Sequence, residues 1–107
     1  MRDDRRVEII EKMLALDPSG EKPLSEGEIS KDMYYGVQVS AKEKKEVFRG
    51  DLRSLEIAGL ITFENWSNIL PIMPPGPLVI ILRMYGVALS TDDNVAMIAS
   101  HLGVCND

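Results

Sequence analysis

Cysteine and histidine each occur once, as Cys105 and His101. One thiol excludes a disulfide within the chain. Neither residue has a partner at zinc-ligand spacing, so no metal and no cofactor is expected. A glycine-rich phosphate loop is missing too, because Gly20, Gly27 and Gly36 stand too far apart to form a nest. Positive charge is the minority sign. Twelve Lys and Arg oppose 17 Asp and Glu, a net charge of -5. That balance argues against a histone-like or polybasic binder and leaves room only for a local basic face. The span from Asn65 to Leu82 is free of charge, but it holds Pro71, Pro74, Pro75, Gly76 and Pro77. These would leave backbone groups unpaired in lipid, so no membrane partner is expected. The opening Met1-Arg2-Asp3-Asp4-Arg5-Arg6 leads into a charged helical pattern and not into the apolar core of a signal peptide, which fits a soluble, cytoplasmic protein.

What is present suits one globular domain. The 107 residues are 45% hydrophobic and 27% charged, enough to bury roughly two-thirds of the unfolded surface around a single core. Carboxylates interleave with Lys and Arg along helix faces, and no nucleophile stands beside an orienting group, so enzyme activity is not expected. His101, in the last turn of the last helix, reads as a cation opposite the carbonyl dipole.

Apolar Val7, Ile10 and Leu14 at helical spacing place a first helix between Asp3 and Leu16, stopped by Asp17-Pro18-Ser19-Gly20. Ser25 and Glu28 form a capping-box pair, with Leu24 and Ile29 at the staple positions. They open a short second helix that Tyr34-Tyr35-Gly36 closes. After the connector Val37-Gln38-Val39, Ser40 and Glu43 repeat the pattern and open a third helix to about Ala58, with Gly59 as its C′ residue. Leu60 to Phe63 reads as a strand and Glu64 to Asn68 as a turn. Ile69 to Met73 reads as a returning strand in which Pro71 demands an edge position. Leu78 to Leu82 permits strand or helix. Pro77 at a first helical position and the continuation through Tyr85 favour helix. A last helix starts at Thr91 and ends at Gly103.

Helix three carries the most informative pattern. At about 100° per residue, Phe48, Leu52, Leu55 and Gly59 share one arc, which faces the core. Lys42, Lys45, Arg49 and Arg53 fall within about 80° on the adjacent arc, with Lys44 elsewhere on the cylinder. A basic stripe on a helix that follows a short capped helix is what groove recognition needs, because guanidinium groups hold phosphates or guanine edges bidentately and lysines supply point charges. Arg49, mid-stripe, is expected to be the most base-directed. Lys44, Arg5 and Arg6 would add phosphate contacts. The competing reading is a solvated helix face laced with i,i+4 ion pairs.

The order helix, helix, helix, strand, turn, strand, together with Asp51-Leu52-Arg53-Ser54-Leu55-Glu56-Ile57-Ala58-Gly59-Leu60-Ile61, resembles the winged helix-turn-helix domain of transcriptional regulators. In that family this stretch ends the recognition helix and enters the wing. The resemblance spans about Val7 to Met73. It implies a mainly α fold with a small β-hairpin (α+β), with Ser25 to Tyr35 as positioning helix, Ser40 to Ala58 as recognition helix and Phe63 to Ile72 as wing. The tip Glu64-Asn65-Trp66-Ser67-Asn68 lacks the Arg or Lys that a minor-groove wing offers, which argues against a wing contact with DNA. Three roles are open to Trp66: packing under the wing, binding a partner, or stacking on nucleic acid.

The expected organisation is a winged-helix domain over 1–73 and a C-terminal helical extension over 74–107. Leu78 to Tyr85 is apolar around most of its circumference. A homodimer contact through Leu78, Ile81, Leu82 and Tyr85 is therefore expected, which is also what the resemblance implies for such added helices. Val95 to Val104 is similar to the start of a helix-turn-helix unit, but an ordinary amphipathic helix is the expectation there. The leading functional expectation is a regulator that binds double-stranded DNA through helix three. The alternative is a winged-helix protein–protein interaction module that binds no nucleic acid.

Overall fold

Capping chemistry decides where the helices begin and end. A computed structural model describes residues 4–33, 40–88 and 90–102. Along it run α1 (Arg5–Leu16), α2 (Glu26–Ser30), α3 (Ala41–Ile57), β1 (Ile61–Phe63), β2 (Ile69–Pro71), α4 (Pro75–Tyr85) and α5 (Thr91–Leu102), an α-rich α+β arrangement. At the head of α1 the Asp4 carboxylate accepts the Arg6 backbone N–H at 2.9 Å. Both expected capping boxes form. Ser25 Oγ accepts from Glu28 N–H at 3.2 Å, and Ser40 Oγ from Glu43 N–H at 3.1 Å. In each, the glutamate carboxylate accepts the cap residue's own N–H in return.

The end of α3 is a Schellman turn. Leu60 N–H donates to Leu55 C=O at 3.0 Å and Gly59 N–H to Glu56 C=O at 2.9 Å, with Gly59 at φ +78°. This satisfies carbonyls that would otherwise be orphaned and turns the chain straight into β1. The sheet is a two-stranded antiparallel hairpin pairing Ile61 with Pro71, Thr62 with Leu70 and Phe63 with Ile69. Leu24 adds one bridge on the other side of β2, exchanging backbone hydrogen bonds of 3.0 and 2.9 Å with Ile69. Pro71 lies two residues beyond that bridge, where its missing N–H breaks no pairing on that side.

One expected boundary changes. Helix two ends at Ser30, short of the expected Tyr35. Lys31 leaves the helix with ψ 131°, and Asp32 takes φ +63°, a left-handed conformation that aspartate tolerates better than most residues. Tyr34-Tyr35-Gly36 and the connector Val37-Gln38-Val39 lie outside the described residues, as do Gly103 and Cys105. The open choice over Leu78 to Leu82 resolves as helix, with α4 starting at Pro75 and Pro77 in its first turn, where a missing N–H costs nothing.

The core gathers Ile9, Ile10 and Met13 of α1, Ile29 of α2, Phe48, Leu52 and Leu55 of α3, Leu60, Ile61 and Ile69 of the hairpin, and Leu78, Val79 and Leu82 of α4. Helix α4 packs along α1, and Arg83 pairs with Glu11 between the two. Residues on both sides of the 73/74 boundary therefore share one hydrophobic cluster. This corrects the assignment of Leu78, Ile81 and Leu82 to a dimer contact: they are at most 1% exposed, inside the chain's own interior. The apolar surface of α4 is not too large for one small core, because α1 and α5 both pack on it. What α4 leaves outside is Ile80, Met84 and Tyr85, each more than half exposed.

Candidate nucleic-acid interface

Helix α3 is fixed from one side and open on the other. Phe48, Leu52 and Leu55 are buried, each a large side chain worth about 1.5–3 kcal/mol of burial. Ser40 and Glu43 close the first turn, and the Ser40 N–H and hydroxyl together hold the Glu43 carboxyl below its ordinary range. On this rigid cylinder Lys42, Lys44, Lys45 and Arg53 are exposed. Among the described residues none of the four forms an ion pair with a carboxylate.

Arg49 is different. Its Nε donates to Glu26 Oε2 at 2.8 Å and its Nη2 to Glu26 Oε1 at 2.6 Å, a bidentate fork that leaves the guanidinium only partly exposed. The Trp66 ring lies beneath it, 4.2 Å from the guanidinium carbon, and Arg53 reaches the same ring at 5.3 Å. Trp66 in turn packs on Phe63 at 5.0 Å between ring centroids. Its carbonyl accepts the Glu26 backbone N–H at 2.7 Å. Glu26 thus grips the hairpin turn with its backbone and α3 with its side chain. The hydrogen bonds from Arg49 hold the Glu26 carboxyl below the ordinary carboxylate range and raise Arg49 in return.

Of the five expected contact residues, the structure leaves Lys42, Lys44, Lys45 and Arg53 at the surface and draws Arg49 into a cluster with Glu26 and Trp66. Lys42, Lys45 and Arg53 share the arc with Arg49, and Lys44 and Lys45 both border a groove lined on its other side by Glu26, Gly27, Ser30 and Asp32. The additional cations Arg5 and Arg6 are engaged elsewhere. Arg5 pairs with Asp51 at 2.9 Å; Arg6 pairs with Asp4 and donates to Ser54 Oγ at 3.1 Å. Of the roles open to Trp66, packing is the one its ring contacts fill. Glu26 is the residue the sequence did not signal, since no linear spacing connects positions 26, 49 and 66. Its one local mark is its place just after the Ser25 cap, where a carboxylate favours the helix dipole whatever else it does.

Among the described residues no three His, Cys, Asp or Glu side chains are grouped to hold a metal ion, and no helix is long and apolar enough to cross a membrane. Comparison of the chain with protein-family models, with curated proteins and with solved structures found no match.

Proposed function

We propose that the protein is a winged-helix regulator that binds double-stranded DNA through α3. The observation that carries this reading is the set of three cations along one arc of a rigid, capped helix, Lys42, Lys45 and Arg53, with no carboxylate paired to them among the described residues. A helix of this diameter fits a major groove, and its cations meet phosphates on approach. Net charge -5 opposes association at long range, but repulsion beyond roughly 10 Å is largely screened at 0.1 M salt, so local cations decide the outcome. The hairpin tip, with Glu64 and no cation, contributes packing and not groove contact. The direct test is a fluorescence-anisotropy titration of random duplex DNA with the wild-type protein and the Lys42→Ala/Lys45→Ala double variant. The double variant should bind roughly tenfold more weakly at about 50 mM salt, with an unchanged thermal melt.

The reading includes a second copy of the chain docked on the outer face of α4, where Ile80, Met84 and Tyr85 are exposed. A different specific feature supports the protein-binding alternative: Ile57 is 70% exposed on the outward side of α3. In that case Ile57→Asp abolishes partner binding, whereas on the DNA reading it only weakens α3's approach to the duplex.

A further inference from the structure

We infer that Glu26 is a built-in competitor for DNA phosphate at Arg49, setting how many cations α3 gives to a duplex. This role rests on the DNA-binding reading above and concerns the regulation of that same surface. A carboxylate in a bidentate fork offers Arg49 the same two-oxygen geometry as a phosphate, and here the two N–H···O distances are 2.8 and 2.6 Å. The fork is anchored at both ends. The Glu26 backbone is fixed by its own N–H, which donates to the Trp66 carbonyl at 2.7 Å, so the carboxylate is carried at a set place beside α3. Arg49 is held over the Trp66 ring at 4.2 Å. Arg49 lies on the same arc as Lys42, Lys45 and Arg53, and among the described residues it is the member of that stripe in a salt bridge with a carboxylate, while Lys45 acts on the same Glu26 through space. Glu26 occupies the Nε/Nη2 edge of Arg49, so a phosphate that takes that edge bidentately must displace it. Where the contact does not favour displacement, Glu26 keeps Arg49 out of the interaction and lowers affinity for DNA in general.

Trp66 gives an optical readout. It is the only tryptophan, and its ring touches both arginines, so its emission reports whether Arg49 stays in place. The experiment compares wild type, Glu26→Gln, Arg49→Ala and the Glu26→Gln/Arg49→Ala double variant, with Glu26→Ala as a second way to remove the carboxylate. Far-ultraviolet circular dichroism melts show which variants remain folded. Each is titrated with random duplex DNA at several salt concentrations. Glu26→Gln should bind about five- to tenfold more tightly at about 50 mM salt, and its salt slope should steepen by about 0.9, the value for one added phosphate contact. Both effects must vanish when Arg49 is alanine, and DNA must change Trp66 emission more in Glu26→Gln than in wild type. Equal gains with and without Arg49 would mean simple loss of a repulsive charge and would overturn the inference while leaving DNA binding intact. Unchanged affinity in Glu26→Gln and Glu26→Ala would overturn it as well. Failure of wild type and every variant to bind DNA at about 50 mM salt would remove the DNA-binding reading itself, and the competitor role with it.

Discussion

The Asn94 side-chain amide donates a 2.9 Å hydrogen bond to the carbonyl of Ala58, the residue that caps α3. Asn94 is the one buried polar residue among the described residues. Its remaining groups are also satisfied: it donates to Ala88 C=O at 3.2 Å and accepts the Ala88 N–H at 3.1 Å. Thr91 adds a 2.8 Å bond to the Ile57 carbonyl. Helix α5 is thereby tied to the end of α3 by polar contacts that neither helix could form alone. Asn94→Ala should destabilise the fold by about 1–3 kcal/mol, since the Ala58 carbonyl then loses its partner in a buried site and the Ala88 N–H and C=O lose theirs in a half-buried one. Asn94→Asp should cost at least as much, because a carboxylate cannot donate to either carbonyl. Urea unfolding monitored by Trp66 emission measures both.

Two glycines of α3 and its exit should respond to alanine in opposite senses. Gly59 sits at φ +78°, and an added Cβ would lie 2.8 Å from Thr91 Cγ2. Gly59→Ala should therefore destabilise by about 1–2 kcal/mol from the left-handed backbone alone. Gly50 is helical and exposed, and a Cβ added there would meet nothing within 4 Å. Gly50→Ala should stabilise by about 0.5–1 kcal/mol through lower backbone entropy in the unfolded state. Paired thermal melts decide both signs.

Much of the local architecture was legible in the sequence because it obeys short-range rules. Ser25 with Glu28, Ser40 with Glu43, and Gly59 after Ala58 each act within one helical turn, and all three behave as their spacing dictates. The outward placement of Lys42, Lys45 and Arg53 follows from helical periodicity and the burial of Phe48, Leu52 and Leu55. What escaped is set by residues far apart in the chain. Glu26, Arg49 and Trp66 meet only after the hairpin folds back on α2 and α3. Leu78, Ile81 and Leu82 are interior because α1 and α5 both pack on α4, an arrangement that no property of residues 78 to 85 reveals. Helix two stops early, before a left-handed Asp32, where the apolar spacing of Ile29 and Met33 alone would carry it on.

Self-association separates the inner and outer faces of α4. Met84→Glu and Tyr85→Glu alter exposed positions, so the folded protein should persist and any dimer should dissociate at micromolar concentration. Leu82→Glu places a charge in the core and should abolish folding rather than association alone. Sedimentation velocity together with circular dichroism distinguishes the two. A wild-type monomer at every concentration tested would eliminate the second copy.

Acid should weaken the contact between α2, α3 and the hairpin. Arg49 depresses the Glu26 carboxyl below its ordinary value of 4.5, so the folded state binds its proton less readily than the unfolded chain does. The stabilisation is then fully present above about pH 4.5 and is lost as pH falls through the depressed folded-state value. Between about pH 6 and pH 3 the melting temperature of Glu26→Gln should fall less steeply than that of wild type. Parallel curves would show that the pair adds nothing to stability.

The salt dependence of binding to random duplex DNA decides whether the cations of α3 meet phosphates. With Arg49 held by Glu26, Lys42, Lys45 and Arg53 remain for phosphates on one protomer. The slope of log K against log salt should be about −0.9 for each contact, so about −3 for one protomer and about −5 for two. Complete insensitivity to salt, or no binding at about 50 mM, would contradict a DNA-binding surface on α3.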